Sequence, residues 1–512
     1  MTLFWNLGNR MNLVSFDFII FLIVVTVLFY TLKRLQKYIL LFASILFYIS
    51  ISAVSKPKLI LLIGYVICVT YIGAILIEKS RGRIRSAVLA FTIAALTAVL
   101  VVLKYAYNLC SLFMELLRIE GNVNIMQFAS VIGLSYFILS AIGYLIEVFW
   151  KSYRAERNVF TVALFIYYFP QIISGPVTRF QEMREQFDTR RSLEYDNIMY
   201  GLRRMLWGYF KKLVISERFG IIVSSVYDSY GNYSAAGIIG ATLAYAIQLY
   251  TDFSGCMDII IGVSKLFGIK LPENFNAPFF SKSVQEFWQR WHITLGLWFK
   301  DYVMYPVQIS KPMIRLGKKC KKKFGKKTGK KIPFYLSMLA LWFLIGVWHG
   351  GTGYYFIASA VIPYFVLIVS DLAQPLFVKL TKARINRACF SWRLFQSLRT
   401  VMMICCCWIF VCSNGTMAAV SVFRHMAEVP VAYTSFVSTF ETFGLTVTDL
   451  LLMILGVLIL GVADHFQYNG SSITEKLDEQ NGVFRCLVIY AEIFSILFYG
   501  MVGTSTFIYF QF

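Results

Sequence analysis

Charge is scarce in this 512-residue chain: 15% of its residues are charged, against 58% hydrophobic and 17% aromatic, and 27 acids face 49 Lys and Arg. With a mean hydropathy of +0.65, a water-soluble globular fold is excluded, because such folds carry about a quarter of their residues as charges. Histidine is scarcer still, at four residues, so few side chains are suited to proton transfer near neutral pH. The ten cysteines show neither paired metal-ligand spacing nor a secreted disulfide framework. They read as small apolar side chains packing between helices. No glycine-rich phosphate loop follows a strand and no serine-nucleophile motif occurs, which argues against soluble nucleotide chemistry. A cleavable leader is not expected, since residues 1–12 lack a basic stretch running into a short apolar core with a small-residue cleavage site.

What the chain does have is long apolar runs. Residues 16–32, 38–54, 59–77, 86–103 and 125–149 carry few or no charges, and each is about long enough to cross a ~30 Å hydrocarbon layer as a helix. Beyond Trp150 the texture changes. Between 159 and 316 the apolar stretches are interrupted by Pro170, Gly175, Pro176, Gly255, Pro272 and Pro278. Irregular backbone survives at membrane depth only where it lines a cavity or is buried in protein. Regular spans return at 333–348, 354–370, 394–412, 447–462 and 484–502. The expectation is an all-α polytopic membrane protein of about 10–12 transmembrane helices, with broken and amphipathic helices around a central cavity. Its parts would be N-terminal helices at 1–150, a core at 151–370, C-terminal helices at 371–506 and an aromatic tail at 507–512.

Basic residues orient these spans. They cluster in alternate connections: Lys33, Arg34 and Lys37, then Lys79, Arg81, Arg83 and Arg85, then Lys151, Arg154 and Arg157. The strongest cytoplasmic mark is a loop at 311–331, with eleven Lys or Arg and no acid. Membrane topology therefore accounts for the net charge of +22, and nucleic acid is not expected as a partner. Counting spans from these marks puts both termini outside. The step that fits least well is 464–485, expected inside yet carrying only Lys476 and Arg485 against several acids.

Two histidines stand in unusual places. His349 directly follows an apolar helix, in Gly346-Val347-Trp348-His349-Gly350-Gly351. Sixteen residues from Pro333 to Trp348 rise roughly 24 Å, which leaves His349 within the outer part of the membrane. It is either a general base or a hydrogen-bonded packing histidine in an aromatic collar. His292 lies in Phe287-Trp288-Gln289-Arg290-Trp291-His292, where helical spacing predicts Trp288, Leu295 and Phe299 on its face; a structural role is the simpler reading. The two are 349 − 292 = 57 residues apart without a local carboxylate, so no metal site is expected. Asp252 and Asp258 bind substrate, orient a histidine, or pair with a basic residue such as Arg290; the last is the plainest.

Several ordered motifs resemble the membrane-bound O-acyltransferases (MBOAT) of the bacterial alginate O-acetyltransferase type. They are QLYTDFSG at 248–255, LPENFNAPF at 271–279, EFWQRWH at 286–292, WFKDY at 298–302 and WHG at 348–350, with YFPQIISGP upstream at 168–176. The resemblance implies that His349 is the essential histidine and His292 its supporting one. Asp252, Asn274, Arg290 and Trp348 would line or support the cavity. It also implies an enzyme without a permanently bound cofactor, which moves an acyl group from a cytoplasmic thioester. The donor would be acetyl-CoA. The acceptor would be an extracytoplasmic cell-wall polymer or exopolysaccharide, reached through a separate extracytoplasmic acyltransferase at the bacterial plasma membrane.

The terminal run FIYFQF at 507–512 is similar to the tail of the small membrane subunit of the teichoic-acid D-alanylation system. That similarity makes Tyr509 a candidate acyl relay, the alternative being an interfacial aromatic anchor. Two rival functions stay open: D-alanyl transfer to teichoic acid by similar machinery, and a transporter or export channel. The last predicts intramembrane charge pairs and a repeat between halves, and the sequence displays neither clearly.

Overall fold

The computed structural model describes residues 11–52, 56–117, 133–350, 353–381, 386, 389–429, 442–501 and 507–508. These fold as helices, and no strand occurs among the described residues beyond one isolated bridge. Two compact units divide the chain.

The first unit comprises Met1–Gly208, Cys256–Pro272 and Thr506–Phe512. Its helices are α1 (Phe16–Thr31), α2 (Gln36–Ile51), α3 (Lys56–Lys79), α4 (Gly82–Leu117), α5 (Leu134–Trp150), α6 (Val159–Tyr167), α7 (Phe180–Asp188) and α8 (Tyr195–Tyr209). Helix starts are set by capping: the Ser15 side chain accepts from the Phe18 N–H, and the Asn158 side chain from the Phe160 N–H. Helix α5 is predominantly apolar and nearly all of it is buried, which makes it the centre of this unit. It begins after Gly133, whose φ is 76°, and where an added Cβ would lie 2.0 Å from the Ile172 carbonyl oxygen. Only glycine fits there.

The second unit comprises Tyr209–Gly255 and Glu273–Ser505. It opens with a π-helix, Phe210–Ser216, followed by α9 (Glu217–Tyr227) and α10 (Ala235–Leu266), whose last turns belong to the first unit. Then come α11 (Val284–Arg290), α12 (Ile293–Phe299), α13 (Tyr305–Gln308), α14 (Lys311–Trp348), α15 (Gly353–Phe356), α16 (Ile362–Thr381), α17 (Phe390–Cys412), α18 (Thr416–Glu428), α19 (Val447–Tyr468), α20 (Ile473–Asp478) and α21 (Gly482–Tyr499).

Seven helical stretches among the described residues are long and apolar enough to cross a membrane: Pro57–Lys79, Gly82–Lys104, Lys311–Trp348, Gly353–Lys379, Phe390–Cys412, Val447–Tyr468 and Gly482–Tyr499. The shorter apolar helices α1, α2 and α5 accompany them. Helix α21 buries no residue, with Leu497 74% and Phe498 65% exposed. Apolar surface presented on that scale is suited to hydrocarbon rather than water. The chain is an all-α, polytopic membrane protein.

Two expectations are corrected. Gly255 does not interrupt a helix, since α10 runs unbroken through it. A mid-helix glycine costs only about 1 kcal/mol relative to alanine, and here its neighbours Leu249–Ser254 and Cys256–Val263 are nearly all buried, so packing prevails. Likewise the basic segment 311–331 is not an irregular loop. It is helical on both sides of a reversal at Gly325, whose φ of 78° departs from the helix.

Candidate functional site

The His292 region is built by two short segments that pair. Phe275 and Trp291 form the isolated antiparallel bridge. The Asn276 N–H donates to the Arg290 carbonyl at 3.0 Å, and the Ile293 N–H to the Asn274 carbonyl at 2.9 Å. This pairing interrupts the helix predicted through His292. The histidine stands between α11 and α12 in left-handed backbone, φ 47°, as does Ala277 at φ 44°. Each such residue costs about 1–2 kcal/mol, a strain that marks an over-determined local structure. Trp288, Leu295 and Phe299 therefore do not share one helical face with it.

Asn274 fixes the chemistry of the ring. Its side-chain oxygen accepts from the Thr294 N–H at 3.1 Å and from the Thr294 hydroxyl at 2.9 Å, and His292 Nδ1 lies 3.2 Å away. A backbone N–H can only donate, so the Asn274 oxygen must face it. Nδ1 then carries the proton and the imidazole lone pair falls on Nε2. His292 lies outside the candidate spans and is 5% exposed. Burial, and secondarily the neighbouring His349, hold its pKa well below the usual histidine value, so the ring is neutral.

His349 ends α14, its N–H donating to the Ile345 carbonyl at 3.0 Å, and it is half-buried. The helix stops at Gly350, where φ is 140°, a value open to glycine. Trp348 joins the two histidines: its ring lies 6.2 Å from His292 and 4.9 Å from His349. Phe253 meets His292 edge-on at 4.8 Å and Phe275 at 5.0 Å, and Tyr250 stands against Phe275 at 5.8 Å. The structure thus brings together both histidines, Asn274 and Trp348 within an aromatic collar.

Asp252, one residue from Phe253, pairs with Lys212 at 2.6 Å rather than with Arg290, and Lys212 also holds Glu217 at 2.6 Å. Lys211 donates to the Ser254 hydroxyl at 2.9 Å. All of these are buried, and both lysines lie in the π-helix, a geometry frequent at functional sites. Within the first unit, Asp258 pairs with Arg204 at 2.6 Å. Arg290 instead pairs with Glu286 at 3.0 Å and lies 4.4 Å over the Tyr468 ring. No group of three or more His, Cys, Asp or Glu among the described residues is placed to hold a metal.

The chain running to the tail is pinned to the π-helix. The Met501 N–H donates to the Leu213 carbonyl at 3.0 Å, and Arg218 donates to the Tyr499 carbonyl at 2.7 Å while pairing with Asp449 at 2.9 Å. Phe507 is fully buried. Tyr509 lies outside the described residues.

Residues 53–413 match the model of the MBOAT, membrane-bound O-acyltransferase, family. The chain belongs to this family. Every histidine, carboxylate and tryptophan assembled above as a predicted site residue falls inside the matched stretch, and Tyr509 falls beyond it. Among relatives, the protein named probable alginate O-acetylase AlgI from Pseudomonas putida is 28% identical over 74% of this chain and 75% of its own length. The Helicobacter pylori peptidoglycan O-acetyltransferase is 34% identical over 39% of this chain and 35% of its length. The Bacillus subtilis teichoic acid D-alanyltransferase is 30% identical over 43% of this chain and 54% of its length. A further protein named probable alginate O-acetylase AlgI, from Pseudomonas syringae, is 28% identical over 66% of this chain, which spans 59% of that relative's length.

Sequence reasoning missed Lys211, Lys212, Glu217, Arg218, Arg204 and Thr294. Two adjacent lysines in the run Trp207-Gly208-Tyr209-Phe210-Lys211-Lys212-Leu213-Val214-Ile215 were the available signal, because charge inside an apolar stretch of a membrane protein needs a partner. Buried charge pairs are also the mark expected of a transport pathway; family membership sets these in an acyltransferase scaffold instead.

Proposed function

We propose that the chain is an O-acyltransferase that takes an acyl group, acetyl by preference, from a cytoplasmic thioester such as acetyl-CoA and passes it across the membrane to O-acylate an extracytoplasmic cell-wall polymer or exopolysaccharide. The observation that carries this reading is the juxtaposition of His349 and a neutral His292 about Trp348, within the family's matched stretch. His349 acts as general base: it takes the proton of an attacking hydroxyl, the new C–O bond forms as the C–S bond breaks, and the proton goes on to the thiolate. A base of this kind supplies ~10²–10⁴-fold, and alignment and oxyanion donors supply the remainder. His292 supports this step by remaining neutral, so that no second cation opposes the imidazolium forming at His349.

Asp252, Asn274, Arg290 and Trp348 hold the surrounding frame. The protein sits in the bacterial plasma membrane with both termini outside and 311–331 inside, and hands the acyl group to a separate extracytoplasmic acyltransferase. Tyr509 relays it; the anchoring of Tyr499 and Met501 supports a defined root for that tail. The B. subtilis relative favours a second reading, in which the acyl group is D-alanyl.

Purified protein in lipid, supplied with labelled acetyl-CoA, tests the proposal. His349→Ala should abolish thioester turnover, and Tyr509→Phe should end onward transfer, leaving only slow hydrolysis of the donor, in which water takes the acyl group. Full turnover in His349→Ala refutes the mechanism, and full onward transfer in Tyr509→Phe refutes the relay. Turnover of a D-alanyl thioester alone selects the second reading.

A further inference from the structure

The basic stretch of α14 folds back on itself as a prong. At Gly325 the helix reverses, and the two arms lie against each other: a Cβ on Gly329 would come within 2.4 Å of the Lys321 backbone nitrogen, and one on Gly317 within 3.4 Å of Pro333 Cγ. Both close approaches pair positions equally far from Gly325, as an antiparallel helical hairpin requires. Gly317, Cys320, Gly329 and Pro333 are buried along the seam. Lys318, Lys319, Lys322, Lys323, Lys326 and Lys327 all point outward.

No acid offsets them locally, because the sequence has no Asp or Glu from Tyr302 to Ser370. Lys331, at the base, reaches Asp371 at 2.6 Å. Phe324 at the tip is 50% exposed, and Ile314 on the first arm 49%. The second arm continues directly into the apolar span ending at Trp348.

We infer that this hairpin binds the anionic phospholipid headgroups of the leaflet it borders. From Pro333 to the tip is 333 − 325 = 8 residues, so the prong stands roughly 12 Å above the start of the apolar run. That height lies within the headgroup layer plus one Debye length. Clustered lysines next to a span attract anionic lipid. The glycine-packed seam holds the arms together before lipid arrives, so little ordering opposes binding.

The test uses the full chain in nanodiscs of phosphatidylcholine, with or without phosphatidylglycerol. Native mass spectrometry of the released protein should show phosphatidylglycerol retained. Changing these six lysines to Gln should reduce that retention about tenfold or more, whereas changing them to Arg should preserve it. Amide exchange across 318–330 should slow only in the phosphatidylglycerol discs. Equal retention in wild type and the Gln variant overturns the inference. Exchange that ignores phosphatidylglycerol but slows with polyglutamate overturns it in favour of an acidic protein partner.

Discussion

Asn274→Asp changes one atom type at the centre of the His292 frame and converts a neutral acceptor into a charged one. The carboxylate would stand 3.2 Å from His292 Nδ1, at the position of the present amide oxygen. At an effective dielectric of about 20, opposite unit charges at that separation attract by roughly 5 kcal/mol before desolvation of the new carboxylate is subtracted. His292, now held neutral by burial and by His349, should be shifted toward the imidazolium. Where it protonates, its Nε2 lone pair is lost, and a cation faces His349 just where the mechanism needs a proton acceptor. Thioester turnover should fall ~10²-fold, with a new inflection in the pH–rate profile. Nitrogen-15 spectra of labelled histidine should report the change from neutral ring to imidazolium. Asn274→Ala separates charge from lost hydrogen bonding, since it removes the acceptor without adding a carboxylate. Wild-type turnover with an unchanged pH profile in Asn274→Asp would refute the assigned tautomer and the neutral role of His292.

Lys212→Met removes the ammonium shared by Asp252 and Glu217 and should destabilise the protein by about 3–5 kcal/mol; thermal unfolding in detergent checks it, with the added changes Asp252→Asn and Glu217→Gln recovering much of the loss. Because the folded-state pKa of His292 is depressed, the unfolded chain binds a proton near pH 6.5 that the folded one refuses. Its stabilising contribution is therefore full above that pH and falls as the pH drops below it, and His292→Gln should flatten the acid limb of a melting-temperature profile. Gly201→Ala should lower the melting temperature, since the new methyl would stand 2.7 Å from the Gly262 carbonyl oxygen and overpacking costs about 1–3 kcal/mol; Gly461→Ala, which meets nothing within 4 Å, is the control.

The apolar helices were legible because hydrophobicity is a local property: the runs at 16–32, 38–54 and 59–77 became α1, α2 and α3 with shifts of a few residues. His349 was legible for the same reason, as an ionisable side chain between an apolar helix and glycines. The partners of the buried charges were not. Asp252 meets Lys212 from 40 residues upstream, and the sequence offers Arg290 as readily. The break at His292 depends on Asn274, 18 residues away, and overrides a local pattern that reads as helix. Gly255 shows the opposite error, a breaker silenced by burial on both sides. The π-helix at Phe210–Ser216 has no compositional mark beyond its two lysines.

Met501, held to Leu213, and the fully buried Phe507 fix two points of the chain that leads to Tyr509. Tyr509 follows Phe507 by 509 − 507 = 2 residues, and two extended residues reach at most about 7 Å. On the proposed relay, a group that receives the acyl unit must come within that distance of Phe507, plus the tyrosine's own length. Inserting residues after Phe507 would lengthen that reach without touching the histidines, so the proposed relay and the thioester chemistry can be varied separately in one protein.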